Sequence, residues 1–285
     1  MNRFFSNTAG LLFFVFLLSC NGKKRKASIL TGYMSSYSNE AREKKYLKEE
    51  LQEISGIFFL NEGQKIAAVN DEEGKVFVLD FANKDTTTSF VFALKGDFED
   101  IVADKNYYYI LESKGKIYRV PKTGVQDTVT HFKLDIKDAD FEAMYMDTAM
   151  KKIVLVCKSC REYEKNKLIP AYCFDLATNT FEAEPCFTID VKKVRKLLKS
   201  NGFGSKASAA AINPKNNKLY IVCSQEGKGL LICDLEGNVE QAIYLDDEVF
   251  PQPEGITFAP NGDMYISNEG LYQPGSIIFY PYKKK

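Results

Sequence analysis

Five short hydrophobic runs along this chain open in the same way, with Ser or Glu followed by a small or acidic residue: Ser55-Gly-Ile, Glu99-Asp-Ile, Glu142-Ala-Met, Ser208-Ala-Ala and Glu254-Gly-Ile. The steps between them are 44, 43, 66 and 46 residues. A repeat of about 40 to 50 residues built from several short strands predicts an all-β fold, a five-bladed β-propeller whose blades are four-stranded sheets. Blade 1 is expected to run through 57–59, 66–69, 76–79 and 89–94, parted by turns at Asn61-Glu62-Gly63 and Glu73-Gly74. The inner strands of the next three blades fall at 101–103, 144–146 and 210–212. Blade 5 has 256–258, an Asn261-Gly262 hairpin signal, 264–266 and 276–280, and no fourth strand before the chain ends.

Propellers commonly close by borrowing a strand from the other terminus. The β-prone island Ser28-Ile-Leu-Thr-Gly-Tyr33 is the candidate closing strand. Residues 40–52 are charged and suit either a short helix or an extended lead-in to blade 1. The long third step is explained by two insertions in blade 3. One is a polar loop from Arg161 to Pro170; the other is a short helix near 191–200, with Asp190 as N-cap and Val191, Val194, Leu197 and Leu198 at helical spacing. Its other face, Lys192, Lys193, Arg195, Lys196 and Lys199, reads as a solvated surface, with partner binding as the alternative.

The first 19 residues read as an export signal rather than as part of the fold. Arg3 precedes the apolar run Leu11 to Leu18, which is shorter than the roughly 20 residues a membrane-spanning helix needs. Leu17-Leu18-Ser19-Cys20 resembles a bacterial lipobox, which implies lipid attachment at Cys20. Residues 20–45 would then be lipid anchor, tether and closing strand, and residues 46–285 the propeller. Lys23-Lys24-Arg25-Lys26 would lie against anionic head groups or remain a solvated tether. Asn21, rather than Asp, follows the cysteine, so by resemblance to lipoprotein sorting the outer membrane, facing the periplasm, is the expected location.

Composition changes this picture little. The chain is 45% hydrophobic, enough for a large core, and its lack of Trp weakens any match to WD-type blades. Its 38 basic and 38 acidic residues balance, which argues against nucleic acid as a partner. Six cysteines follow Cys20. Cys157 and Cys160 form a C-x-x-C without a thioredoxin-like context, and Cys157 and Cys223 fall at matching second-strand positions. Buried small hydrophobes, or one local disulfide, are the expected role. The only histidine, His131, falls on a predicted outer strand.

Leu51-Gln-Glu-Ile-Ser-Gly-Ile57, Ala68-Val-Asn-Asp-Glu72, Gly96-Asp-Phe-Glu-Asp-Ile101, Phe141-Glu-Ala143 and Phe250-Pro-Gln-Pro-Glu-Gly-Ile-Thr-Phe258 together resemble the SdiA-regulated family of bacterial envelope proteins. The resemblance runs from about residue 46 to 280. It implies a five-bladed propeller distantly related to NHL-repeat proteins and, since one member holds calcium, a calcium site.

The residues give their own argument for metal. Inner strands line the channel of a propeller, so Ser55, Glu99, Glu142, Ser208 and Glu254 should ring one axis. Three carboxylates a few ångströms apart repel by about 2–4 kcal/mol per pair at an effective dielectric near 20. Some are protonated, or a cation sits among them, and oxygen-only ligands favour calcium. Glu99, Glu142 and Glu254 are the candidate ligands, with Ser55, Ser208 and Asp71 as neighbours. The alternative is that each glutamate bonds backbone amides of its own. Asn70, Asp71, Glu112, Asn268 and Glu269, at the ends of second strands, are read as turn caps that would face the same mouth. Two functions follow: a calcium-binding module for an envelope protein or small ligand, or a calcium-dependent hydrolase of the lactonase, esterase or phosphotriesterase kind.

Overall fold

The computed structural model describes residues 32–38, 42–61, 65–81, 87–123, 128–204, 206–225 and 227–283. Strand β1 (Glu43–Tyr46) precedes five antiparallel sheets arranged as blades. Blade 1 is β2 (Ile54–Leu60), β3 (Lys65–Asn70), β4 (Lys75–Asp80) and β5 (Thr87–Val91). Blade 2 is β6 (Phe98–Ala103), β7 (Tyr107–Glu112), β8 (Lys116–Pro121) and β9 (Thr130–Lys133). Blade 3 contains β10 (Ala139–Asp147), β11 (Lys152–Cys160), α1 (Arg161–Glu164), β12 (Leu168–Asp175), β13 (Thr180–Phe181) and β14 (Phe187–Asp190), and α2 (Val191–Leu198) follows it. Blade 4 is β15 (Lys206–Asn213), β16 (Lys218–Gln225), β17 (Gly229–Cys233) and β18 (Val239–Tyr244). Blade 5 is β19 (Pro253–Phe258), β20 (Met264–Asn268) and β21 (Ser276–Tyr280), completed by β1.

Each blade is sandwiched between two others, so its middle strands are apolar on both faces rather than alternating. In β3, Ile66, Ala67, Ala68 and Val69 are all fully buried, and β17 is buried throughout. The faces of one strand feed different interfaces: Ile66 and Ala68 pack towards blade 5, Ala67 and Val69 towards blade 2. Phe77, Phe98, Phe141, Phe174 and Tyr220 are the largest fully buried side chains, each contributing about 1.5–3 kcal/mol. Outer strands face water, and β9 is exposed along most of its length.

An N-terminal strand closes the ring, but not the one expected. β1 pairs with β21 from Glu43 opposite Phe279 to Tyr46 opposite Ser276. Of the island Ser28–Tyr33, residues 28–31 lie outside the described residues, and Gly32–Ser36 form a 3-10 turn instead. That turn has a packing role. Met34 and Tyr37 enter the core between blades 4 and 5, and the Tyr37 hydroxyl donates to Gly262 O at 2.6 Å while accepting from Asn213 Nδ2 at 2.9 Å. The export signal, Cys20 and the basic run also lie outside the described residues. Among those described, no helix is long and apolar enough to cross a membrane.

The blade 3 insertions differ in detail from expectation. The polar segment shortens to α1 and a turn, because β12 already begins at Leu168. The fourth strand that a blade of this kind calls for, expected over 180–187, splits into β13 and β14, both paired with β12, around Glu-Ala-Glu-Pro185, where proline has no N–H to offer a ladder. Helix α2 forms with the expected cap, Asp190 Oδ1 accepting from Lys192 N at 2.8 Å, and with Val191 and Val194 buried, but Leu197 is exposed and Arg195 is half-buried, donating to Phe203 O at 2.8 Å. The Asn261-Gly262 hairpin also forms, with Gly262 at φ 95°.

Candidate functional site

The fivefold sequence repeat is a fivefold β-bulge. On β6, Phe98 faces Glu112 and Asp100 faces Leu111, which leaves Glu99 without a cross-strand partner. The same skip leaves out Glu142 on β10, Ser208 on β15 and Glu254 on β19. On β2 it leaves out Ser55 and Gly56. A bulge re-aims the extra side chain and bends the strand. Here it brings Glu99, Glu142 and Glu254, from three blades, close enough to feel one another's charge.

The following residue must be small because it abuts the next blade. A Cβ on Gly56 would collide with Asp100, and one on Gly255 with Ser267 and the Ser55 carbonyl. Ala143 and Ala209 are fully buried. Asp100 is the exception in size, and it is fitted by two backbone donors: Ile101 N to Oδ1 at 2.8 Å and, from blade 3, Met144 N to Oδ2 at 2.7 Å. Burial raises its pKa well above the carboxylate range, against the pull of those bonds.

A second ring surrounds the first. One residue beyond the matched second-strand positions stand Asp71, Ser113, Lys158, Ser224 and Glu269. Lys158 forms an ion pair with Glu142, both largely buried. Burial would lower the pKa of Lys158; the bond to Glu142 and the charges of Glu142, Glu254 and Glu99 outweigh it and raise it. Burial raises that of Glu142, partly offset by Lys158. Burial, with Glu142 and Asp97 adding, pushes Glu99 up to about 10. Burial and Glu142 push Glu254 up to about 8, against Lys158 and the Ser224 hydroxyl. Asp71 rises to about 6 through burial and its neighbours Glu53 and Glu269. Among the described residues, Lys158 is the base that pairs inside this acidic bowl, and Lys114, bonded to Asp140, lies within reach of the charge of Glu99.

The other expected site residues have different partners. Ser208 Oγ donates to Pro253 O of blade 5 at 2.8 Å, and the Ser55 carbonyl accepts from Ser267 Oγ at 2.8 Å, so both serines help tie blades together. Asn70 is a turn cap, its Oδ1 accepting from Glu73 N at 3.0 Å. Glu112 turns to its own hairpin and bonds Tyr118 and Lys116. Asn268 is fully buried, and neither its amide oxygen nor its amide nitrogen has a partner. Lys158 escaped the sequence reading because it sits inside the C-x-x-C. Its near-constant distance of 14 to 16 residues beyond the bulge, shared with Asp71, Ser113, Ser224 and Glu269, would have found it.

A calcium ion needs six to eight oxygens at about 2.3–2.6 Å. Among the described residues, the one trio of Cys, Asp, Glu or His whose ligand atoms all lie within 4.8 Å is Cys173, Glu182 and Cys186, whose sulfurs are joined in a disulfide. Glu99, Glu142 and Glu254 do not converge that closely. The donor chemistry suits calcium, and Lys158 already holds one of the three carboxylates.

Beside the mouth lies a cavity of about 220 Å³ lined by Lys158, Lys167, Arg195 and Lys206, by Glu164, which pairs with Lys206 at 3.6 Å, and by Cys157 and Cys160. At the opposite end of the channel a cavity of about 450 Å³ is lined by Phe58, Tyr145, Met146 and Phe258 together with the polar Asp147 and Thr257. Two disulfides form rather than one, Cys157–Cys160 and Cys173–Cys186, while Cys223 and Cys233 are free and buried. His131 lies exposed on β9, far from the axis in the sheet order.

No curated protein sequence matches the chain. Solved structures do. A luciferin-regenerating enzyme is 11% identical with a TM-score of 0.52, over 84% of this chain and 95% of that one. A protein of unknown function from Bacteroides thetaiotaomicron is 14% identical with a TM-score of 0.50, over 82% of this chain and 56% of that one. At such identities the likeness concerns fold alone. The family model described as SdiA-regulated matches residues 31–274, nearly the whole propeller, and the chain belongs to the SdiA-regulated family.

Proposed function

We propose that this protein is a binding module of the bacterial cell envelope, held to the membrane by lipid on Cys20 and taking a small polar ligand or a partner's loop at the acidic mouth. One observation carries the reading: all five inner strands bulge at the same place, and the bulges from three blades crowd three carboxyl groups whose pKa values burial raises. Packing alone does not require this, and costly polar clusters of this kind concentrate at functional sites. The basic cavity beside the mouth, which shares Lys158 with it, gives a ligand bearing both charges somewhere to lie. An outer-membrane position facing the periplasm fits Asn21 after the lipidated cysteine.

The test is a thermal-shift screen of charged and zwitterionic small molecules against the wild type and an E99Q/E142Q/E254Q variant. A ligand that raises the melting temperature of the first and not of the second supports the mouth as the site. One that shifts both equally places binding elsewhere. For the anchor, Cys20→Ser should move the protein from the membrane fraction to the soluble one.

A further inference from the structure

We infer that the Lys158 ammonium is the resident cation of the mouth, a tethered charge standing among Glu99, Glu142 and Glu254 in place of a metal ion, and that the fold is therefore indifferent to calcium. This concerns the charge balance of the propeller itself and holds whether or not the mouth takes a ligand.

Equivalent positions in the other four blades carry Asp71, Ser113, Ser224 and Glu269, so blade 3 alone places a base there. Asp140 faces Ser159 and Phe141 faces Cys157, which leaves Lys158 without a cross-strand partner. It is thus a second bulge, opposite the Glu142 bulge, and the Cys157–Cys160 disulfide brackets it. Two bulged residues on adjacent strands, one base and one acid, are aimed at the same point and meet in an ion pair with side chains only 19% and 13% exposed.

The chemistry follows from what an ammonium can do. It brings one positive charge and three hydrogen-bond donors, so it satisfies a carboxylate without the oxygen cage calcium demands. It neutralises one charge rather than two. A divalent ion entering the same point would have to displace the ammonium from Glu142 and face its repulsion at short range.

The experiment uses the purified mature protein and calcium alone. Wild type is titrated calorimetrically with calcium chloride and melted in chelator and in millimolar calcium, beside K158M and K158R. Wild type and K158R are expected to give no saturable heat and one melting temperature in both buffers. K158M is expected to melt several degrees lower in chelator and to regain much of that loss in calcium, as the vacated point accepts the ion. Saturable calcium binding by wild type, or a melting temperature several degrees higher in calcium, overturns the inference. So does a folded K158M that is unaffected by either buffer. If K158M fails to fold, the wild-type titration and the K158R melts still decide.

Discussion

The carboxylate of Asp100 accepts the backbone N–H of Met144 at 2.7 Å, joining the inner strand of blade 2 to that of blade 3 inside the wall of the channel. Its other oxygen takes Ile101 N at 2.8 Å, so one buried side chain satisfies two backbone donors of the inner strands, just beyond the bulges at Glu99 and Glu142. Replacing it with alanine leaves both donors unpaired, at about 1–3 kcal/mol each. D100A should therefore lower the melting temperature by roughly 4–24 °C, since about 1 kcal/mol corresponds to 2–4 °C at this size. G56A should also destabilise, because the added methyl meets Asp100. Thermal melts of both variants check this, and a D100A within a degree of wild type would sink it.

The mouth makes stability depend on pH in a direction opposite to that of ordinary surface carboxylates. Glu254 is pushed up to about 8 and Glu99 to about 10, both from an ordinary 4.5. The folded chain therefore holds protons that the unfolded chain has released. Their contribution is fully present below about pH 4.5 and is lost as the pH rises towards 8 for Glu254 and 10 for Glu99. Glutamine removes the titration. E254Q should melt higher than wild type at neutral pH, by an amount corresponding to about 3 kcal/mol, with the gap closing towards pH 5. Melts across pH 5 to 9 read the sign directly: a gap that stays constant with pH, or widens in acid, rules the mechanism out.

How much of this could be read from the chain depends on what each residue is held by. The blades were legible because their middle strands are buried on both sides, and segments such as Lys218-Leu-Tyr-Ile-Val-Cys announce themselves. The bulged position was legible as a repeat, but its role was not, since a bulge exists only in the register between two strands. The closing strand was missed for the opposite reason to the one that made the blades visible. Glu43-Lys-Lys-Tyr46 lies on the outer edge, where its exposed side chains need no apolar pattern and β21 supplies the pairing. The more hydrophobic island upstream attracted the assignment instead. Lys158 was hidden by its neighbours, because a C-x-x-C draws attention to sulfur and away from the residue between.

The two disulfides should differ in what they contribute, because they close loops of different length. Cys157 and Cys160 are 3 residues apart, and Cys173 and Cys186 are 13 apart. Loop-closure entropy gives about 2 kcal/mol for the first and about 3 kcal/mol for the second. C173S/C186S should accordingly melt below C157S/C160S, and it should also free β13 and β14 to separate from β12. The shorter bridge has a second consequence, since it brackets Lys158. In C157S/C160S the pH dependence due to Glu254 should change as the ammonium loses its fixed position, whereas C173S/C186S should leave it intact. An unchanged pH profile in both variants would show that the bridge does not position the lysine.

Closing the ring by a strand of only four residues concentrates much of the cooperativity of the propeller in one short pairing. β1 supplies the outer edge of blade 5, and Leu47 N continues the contact by donating to Gly275 O at 2.8 Å. The Lys45 ammonium lies 3.6 Å from the centre of the Phe81 ring of blade 1, so the strand also clasps the neighbouring blade. Upstream, Tyr37 fastens the chain between blades 4 and 5 through Gly262 and Asn213. A chain beginning at Gly32 keeps all of these contacts and should melt like the mature protein. A chain beginning at Lys48 loses them and leaves β21 as an exposed edge, a template for pairing with other chains. It should lose its single sharp transition and associate at micromolar concentration, detectable by light scattering during the melt. If instead it stays monomeric and melts within a few degrees of the longer chain, β1 is an accessory strand and the ring is held shut by the inner strands β2 and β19 alone.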